Sequence, residues 1–173
     1  MERQPLWTRN FTILTLGTVV SMLGNAISGF ALSLLILDYT GSTLLYAIFM
    51  VVYNLPKIIM PSIAGPYLDR FSRTKAIWTL DYLSAALYLV IFFLLRGGLF
   101  NYALLLGLCI VIGTIDSVYL VAYDSLYPML ISEGNYAKAY SISSMIYPLS
   151  ALMVPIASWC YEHVGLTPLF LFN

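Results

Sequence analysis

The chain has 173 residues, of which 61% are hydrophobic and only 9% charged, with eight basic side chains against eight acidic ones. Soluble domains carry about a quarter charged residues, so the composition excludes one and indicates an all-α integral membrane protein. A net charge of zero points to no particular partner, and nothing suggests nucleic acid.

Residues 1–10 are a polar start with Arg3 and Arg9, and Asn10 is placed to cap a helix. The first apolar run, 11–37, exceeds the roughly 20 residues a bilayer needs. It is too long for a cleavable signal and lacks a small-residue cleavage site. Thr18, Ser21, Asn25 and Ser28 follow a three-four spacing and so share one helix face, with Gly17 and Gly24 close by. That face suits a helix-packing seam or a cavity wall.

Asp38-Tyr39-Thr40-Gly41-Ser42 reads as a tight turn into a second span, 43–65, which contains Pro56, Lys57 and Pro61. Proline is tolerated in membrane helices, where it kinks them and frees a carbonyl. Lys57 either snorkels to the nearer interface, pairs with a carboxylate in the bundle, or faces substrate.

Four charges then fall within seven residues, Asp69, Arg70, Arg73 and Lys75, between two apolar runs. Such a cluster cannot sit in hydrocarbon and must be a short aqueous loop.

The third span covers 76–95, with Asp81 near the loop, and Arg96-Gly97-Gly98 ends it. The fourth, 101–123, places Asp116 well inside the bilayer and Asp124 near its end. Tyr119, Tyr123 and Tyr127 recur every four residues after Asp116, an acidic and aromatic flank that fits either core packing or a cation-accepting wall. A polar loop, 128–137, leads to a fifth span, 138–161, with Pro148 and Pro155. The apolar segment 166–173 reads as the start of a sixth helix.

Cys109 and Cys160 lie in apolar segments and read as small core residues. His163 beside Glu162 is the single histidine, so neither a metal centre nor a cofactor is expected. No nucleophile, base and orienting group can be assembled, so an enzyme is not expected either. Lys and Arg concentrate in the start, in the 66–75 loop and at Lys138, while the alternate loops hold only Arg96. The amino terminus and the charged loop are therefore expected in the cytoplasm, with the chain in the plasma membrane.

The pattern Gly65-x-x-x-Asp69-Arg70-x-x-Arg73-x-Lys75 resembles the loop between the second and third helices of the major facilitator superfamily. Arg9-Asn10-Phe11 through Gly24-Asn25-Ala26, then Thr40-Gly41-Ser42, Asp81, and Phe170-Leu171-Phe172-Asn173 resemble that superfamily's drug- and siderophore-exporter branch. Three positions depart from the branch. Asn25 stands where an acidic residue is usual, Val154-Pro155 where Gly-Pro is usual, and the fourth helix lacks Arg-x-x-x-Gly-x-Gly.

The resemblance implies that residues 1–173 form the amino-terminal bundle of a transporter, five full helices and the start of a sixth, whose full form has two such bundles around a midplane site. It implies that Gly65 permits close helix packing, that Asp69, Arg70, Arg73 and Lys75 form the gating loop, and that Asp124 partners Arg73. The function expected is secondary active transport, an ion-coupled efflux of small amphipathic molecules. Nutrient uptake, or a non-transporting remnant that serves as an interaction partner, are the alternatives. The cavity would lie between the first and fourth helices, with Asn25, Asp116 and Tyr119 on its wall and Asp116 loading and releasing the proton. Lys57 and Asp116 each lie near 12 Å from their cytoplasmic helix ends at about 1.5 Å per residue, a rough match in depth that allows an ion pair between them if the second and fourth helices face each other. The partners expected are a small-molecule substrate, the lipid bilayer, and a second copy or a carboxy-terminal half.

Overall fold

The computed structural model describes residues 5–68 and 70–172. Arg3, Asp69 and Asn173, all used in the sequence reading, lie outside the described residues.

Helix α1 runs Arg9–Thr40. Its cap is Thr8 and not Asn10: the Thr8 backbone is extended, and its hydroxyl accepts from the Phe11 amide at 3.3 Å. The helix also continues three residues past the expected end. Asp38, Tyr39 and Thr40 stay helical, and Gly41 alone reverses the chain at φ 59°. Only glycine takes that conformation without a Cβ clash.

Helix α2, Thr43–Leu68, keeps Pro56, Pro61 and Pro66 inside a continuous helix. Helix α3, Arg73–Arg96, starts after Ser72, whose hydroxyl accepts from the Lys75 amide. The charged loop is thus shorter than expected: Gly65 sits in the last turns of α2, and Arg73 and Lys75 in the first turn of α3. Helix α4, Tyr102–Leu126, is capped by Asn101 and passes through a 3-10 turn at Tyr127–Leu130.

The fifth span is one apolar stretch, Tyr136–Val164, in two pieces. Helix α5, Tyr136–Ala151, breaks at Leu152 before helix α6, Met153–Val164. The break follows from Pro155. It has no N–H to give the Ala151 carbonyl, and its ring crowds that same carbonyl. The last segment, Thr167–Phe172, is a 3-10 helix at the position where the sixth helix was expected to begin.

Five stretches are long and apolar enough to cross a membrane. Helix α4 is the hub, packing most heavily on α2 and then on α3, while α1 packs on α5, α6 and the last 3-10 turn. The close approach of α2 to α4 has a specific cause. A Cβ on Gly113 would lie 2.4 Å from the Tyr53 carbonyl oxygen and 3.4 Å from the Pro56 ring. At Gly65, credited with close packing by resemblance, an added Cβ would meet nothing within 4 Å.

The core divides into two apolar layers. One holds Leu32, Leu35, Phe49, Tyr88, Ile112 and Phe170. The other holds Phe11, Ala64, Ile77, Tyr119, Tyr123 and Tyr127. Helices α1 to α4 each contribute to both, so their middle turns lie between them. At the first layer's end, the Tyr161 hydroxyl donates to Asp38 at 2.7 Å and the Tyr102 hydroxyl donates to the Leu45 carbonyl at 2.7 Å.

Candidate functional site

The middle turns of α1 to α4, between the apolar layers, carry the polar side chains of the bundle. On α1 these are Ser21 and Asn25, on α2 Tyr53 and Lys57, on α3 Asp81 and Ser84, and on α4 Asp116 and Ser117. Polar groups inside a membrane bundle are held where they find partners within the protein. Tyr53, Asp116, Ser21 and Asp81 follow that rule, whereas the buried Ser117 hydroxyl has no hydrogen-bond partner among the described residues.

Asp116 is the centre. It is half-buried, and one carboxylate oxygen accepts a 2.8 Å hydrogen bond from the Tyr53 hydroxyl on α2. Asp116 also borders a cavity of about 340 Å³ shared with Asn25, Asp81 and Tyr119. The structure therefore brings together Asn25, Asp116 and Tyr119, three of the four expected substrate or proton residues. Asp81 joins them; it is held by the Ser21 hydroxyl, which donates to it at 3.3 Å. Tyr119 and Thr18 share a 3.4 Å hydroxyl contact beside it. The three-four polar face of α1 serves both purposes foreseen for it. Thr18 and Ser21 bond neighbouring helices, Asn25 lines the cavity, and Ser28 is fully buried.

Lys57 departs from two expectations. It is exposed, and its ammonium neither pairs directly with Asp116 nor extends toward the charged loop. It lies over the Tyr53 ring, 4.4 Å from the centroid. The direction has a helical cause: Cα–Cβ bonds tilt toward the helix amino terminus, so a lysine lies over the residue four before it. Tyr53 thus stands between the amine and the carboxylate, taking one on its face and the other through its hydroxyl. The depth match between Lys57 and Asp116 was legible in the sequence. Tyr53 was missed, although its place one turn before Lys57 on the face toward α4 was the available signal.

Tyr123 and Tyr127 do not line the cavity. The Tyr127 hydroxyl donates to the Ala139 carbonyl at 2.6 Å, Tyr123 meets the Ser143 hydroxyl at 3.5 Å, and their rings lie 5.1 Å apart. They pack α4 against α5, and only Tyr119 of the series reaches the cavity.

In the signature segment, Arg70 and Lys75 are exposed and Asp69 lies outside the described residues. The Arg73 guanidinium reaches the end of α4, as the resemblance implied, but lands past Asp124. It is 3.5 Å from the Ser125 carbonyl and 2.8 Å from the Met129 sulfur. No ion pair between Arg73 and Asp124 is found among the described residues, and Asp124 is exposed. The carboxyl end of α4 explains the placement. Its last carbonyls have no helical donors and carry partial negative charge, which attracts the guanidinium to that end. Among the described residues no group of histidine, cysteine and carboxylate side chains forms a metal site, and both cysteines are free.

Comparison with known proteins agrees with this architecture. The family model described as Major Facilitator Superfamily matches residues 14–173. The "Uncharacterized MFS-type transporter YkuC" of Bacillus subtilis (strain 168) is 28% identical over 160 residues, which is 91% of this chain and 37% of that protein. The chain thus spans little more than a third of the length of this curated relative. No solved structure matches the chain. Because the family match runs through all five apolar spans and the polar layer they enclose, the chain belongs to the Major Facilitator Superfamily.

Proposed function

We propose that the chain is the amino-terminal bundle of a secondary active transporter that exports small amphipathic molecules against an ion gradient. Asp116 is the ion-coupling group in this reading, and Asn25, Asp81 and Tyr119 face the substrate. The observation that carries it is the double exposure of Asp116, tied to Tyr53 on one side and bordering the shared cavity on the other. A carboxylate inside the bilayer is costly, about 2.5–3.5 kcal/mol on insertion scales, and function is the usual reason for one to be there. Its neighbours suit a proton cycle, because the Tyr53 hydroxyl and the Ser21–Asp81 contact leave a hydrogen-bonded acceptor on each side of the cavity.

The apolar outer face of α2, where Val51 is 66% and Ile58 76% exposed, supports a membrane setting in which lipid, a second copy or a carboxy-terminal half covers it. The plasma membrane and a cytoplasmic amino terminus complete the proposal, on the distribution of Lys and Arg.

The test uses inside-out membrane vesicles from cells making the protein, with an acridine dye reporting the pH gradient. Adding an amphipathic substrate should collapse part of the gradient, and Asp116→Asn should abolish that response. A substrate taken up by intact cells, with no effect in everted vesicles, would overturn export. An unchanged response in Asp116→Asn would remove Asp116 from coupling.

A further inference from the structure

We propose that the face of the Tyr53 ring is a binding site for an organic monocation, which the chain's own Lys57 ammonium occupies when no ligand is present. This deepens the transport reading and rests on it for the ligand's route, while the site itself stands on three observations.

The first is the placement of Lys57. Its ammonium lies 4.4 Å over the ring, inside the distance at which a cation is attracted to an aromatic face. The side chain is exposed, and among the described residues it forms no ion pair. The ring contact itself contributes only about 0.5–2 kcal/mol, and Asp116 attracts the amine across the ring without a direct ion pair, so another cation can displace it.

The second is the anchoring of the ring. The Tyr53 hydroxyl donates to Asp116 at 2.8 Å. A phenol that donates to a carboxylate gains electron density on its ring, which strengthens attraction for a cation and opposes an anion. The charge of Asp116, one ring away, acts in the same direction.

The third is the rigidity of the platform. Pro56 is buried against Gly113, and the Tyr53 carbonyl abuts the same glycine, so the turn that carries the ring is fixed on α4. Pro56 also deprives the Val52 carbonyl of its helical donor, which leaves an acceptor one residue from the ring. A preformed face needs no ordering when a ligand arrives.

Lys57 then acts as a tethered competitor. A monocation displaces it from the ring, and the released ammonium returns when the ligand leaves.

The test measures binding of radiolabelled tetraphenylphosphonium to the full chain in lipid nanodiscs, with tetraphenylborate as an anion of the same shape. Lys57→Met removes the competitor and should tighten tetraphenylphosphonium binding about tenfold, as expected for an interaction of cation–π size. Tyr53→Leu should lose saturable binding, and Tyr53→Phe should retain part of it. With lysines reductively methylated using carbon-13, the Lys57 methyl signal should leave its ring-shifted position as tetraphenylphosphonium is added. If Tyr53→Leu fails to fold, the Lys57→Met result and the methyl signal decide the question. Unchanged or weaker tetraphenylphosphonium binding in Lys57→Met overturns the proposal. So does saturable tetraphenylborate binding that needs Lys57, which would make this an anion site. A chain that binds tetraphenylphosphonium as expected but moves nothing across vesicles overturns the transport reading and leaves the site. A working transporter indifferent to Lys57 does the reverse.

Discussion

The Tyr53 hydroxyl donates to the Asp116 carboxylate at 2.8 Å, tying α2 to α4 at the level where the two apolar layers part. The bond places an acidic group inside the bundle without a direct basic partner, and it sets how far Asp116 turns toward the cavity. Water is scarce at that depth, so the tyrosine takes the role that solvent would fill elsewhere.

Tyr53→Phe should therefore destabilise the bundle by about 0.5–2 kcal/mol, the range for hydrogen bonds between membrane helices. Asp116→Asn should cost less, because its amide oxygen can still accept from the tyrosine. Thermal unfolding in detergent of the two single variants and the double variant measures the coupling. Strictly additive losses would mean that the bond contributes nothing.

Gly113→Ala should be much more damaging than Gly65→Ala. The new methyl at 113 meets the Tyr53 carbonyl oxygen at 2.4 Å, and backbone must move, at a cost of about 1–3 kcal/mol or more. Position 65 has no neighbour within 4 Å, so alanine there should be neutral or slightly stabilising, by up to about 1 kcal/mol. Melting temperatures in one detergent compare them directly, and equal losses would refute the assignment of the close contact to Gly113.

Pro155→Ala should join α5 to α6 across Leu152, because residue 155 regains an N–H for the Ala151 carbonyl. Spin labels on the exposed positions Met145 and Glu162 should then move apart, as measured by double electron–electron resonance. An unchanged distance would assign the break to tertiary packing and not to the proline.

The cytoplasmic assignment of the charged loop has its own test. In a background with Cys109 and Cys160 replaced by alanine, Ser72→Cys should resist an impermeant thiol reagent added to intact cells and react after permeabilisation. Ser72 is exposed, so accessibility is set by the side of the membrane alone. Labelling from outside would invert the topology.

The membrane class, the five spans and the charged turn after α2 were legible in the sequence, because each depends on a local property: run length, hydropathy, or the cost of charge in hydrocarbon. The grouping of Asn25, Asp116 and Tyr119 was legible for a related reason. The three-four spacing put Asn25 on the polar face of α1, Tyr119 follows Asp116 by three residues on α4, and the resemblance supplied the facing of the two helices.

Helix ends were less legible. Thr8 and Asn10 are both able to cap, and only the backbone conformation at Thr8 selected it. Pairwise contacts were decided by the tertiary structure. The sequence showed a lysine and an aspartate at equal depth, but the rotation of α2 against α4 puts Tyr53 between them, and that rotation is set by the fit of Pro56 and the Tyr53 carbonyl onto Gly113. Arg73 likewise had a carboxylate within plausible reach, and the fold gave it the carbonyl end of α4. Hydropathy and charge are carried by single residues and survive in a one-dimensional reading. Which partner a polar group meets depends on the rotation and separation of two helices, and these are fixed only when their surfaces interlock.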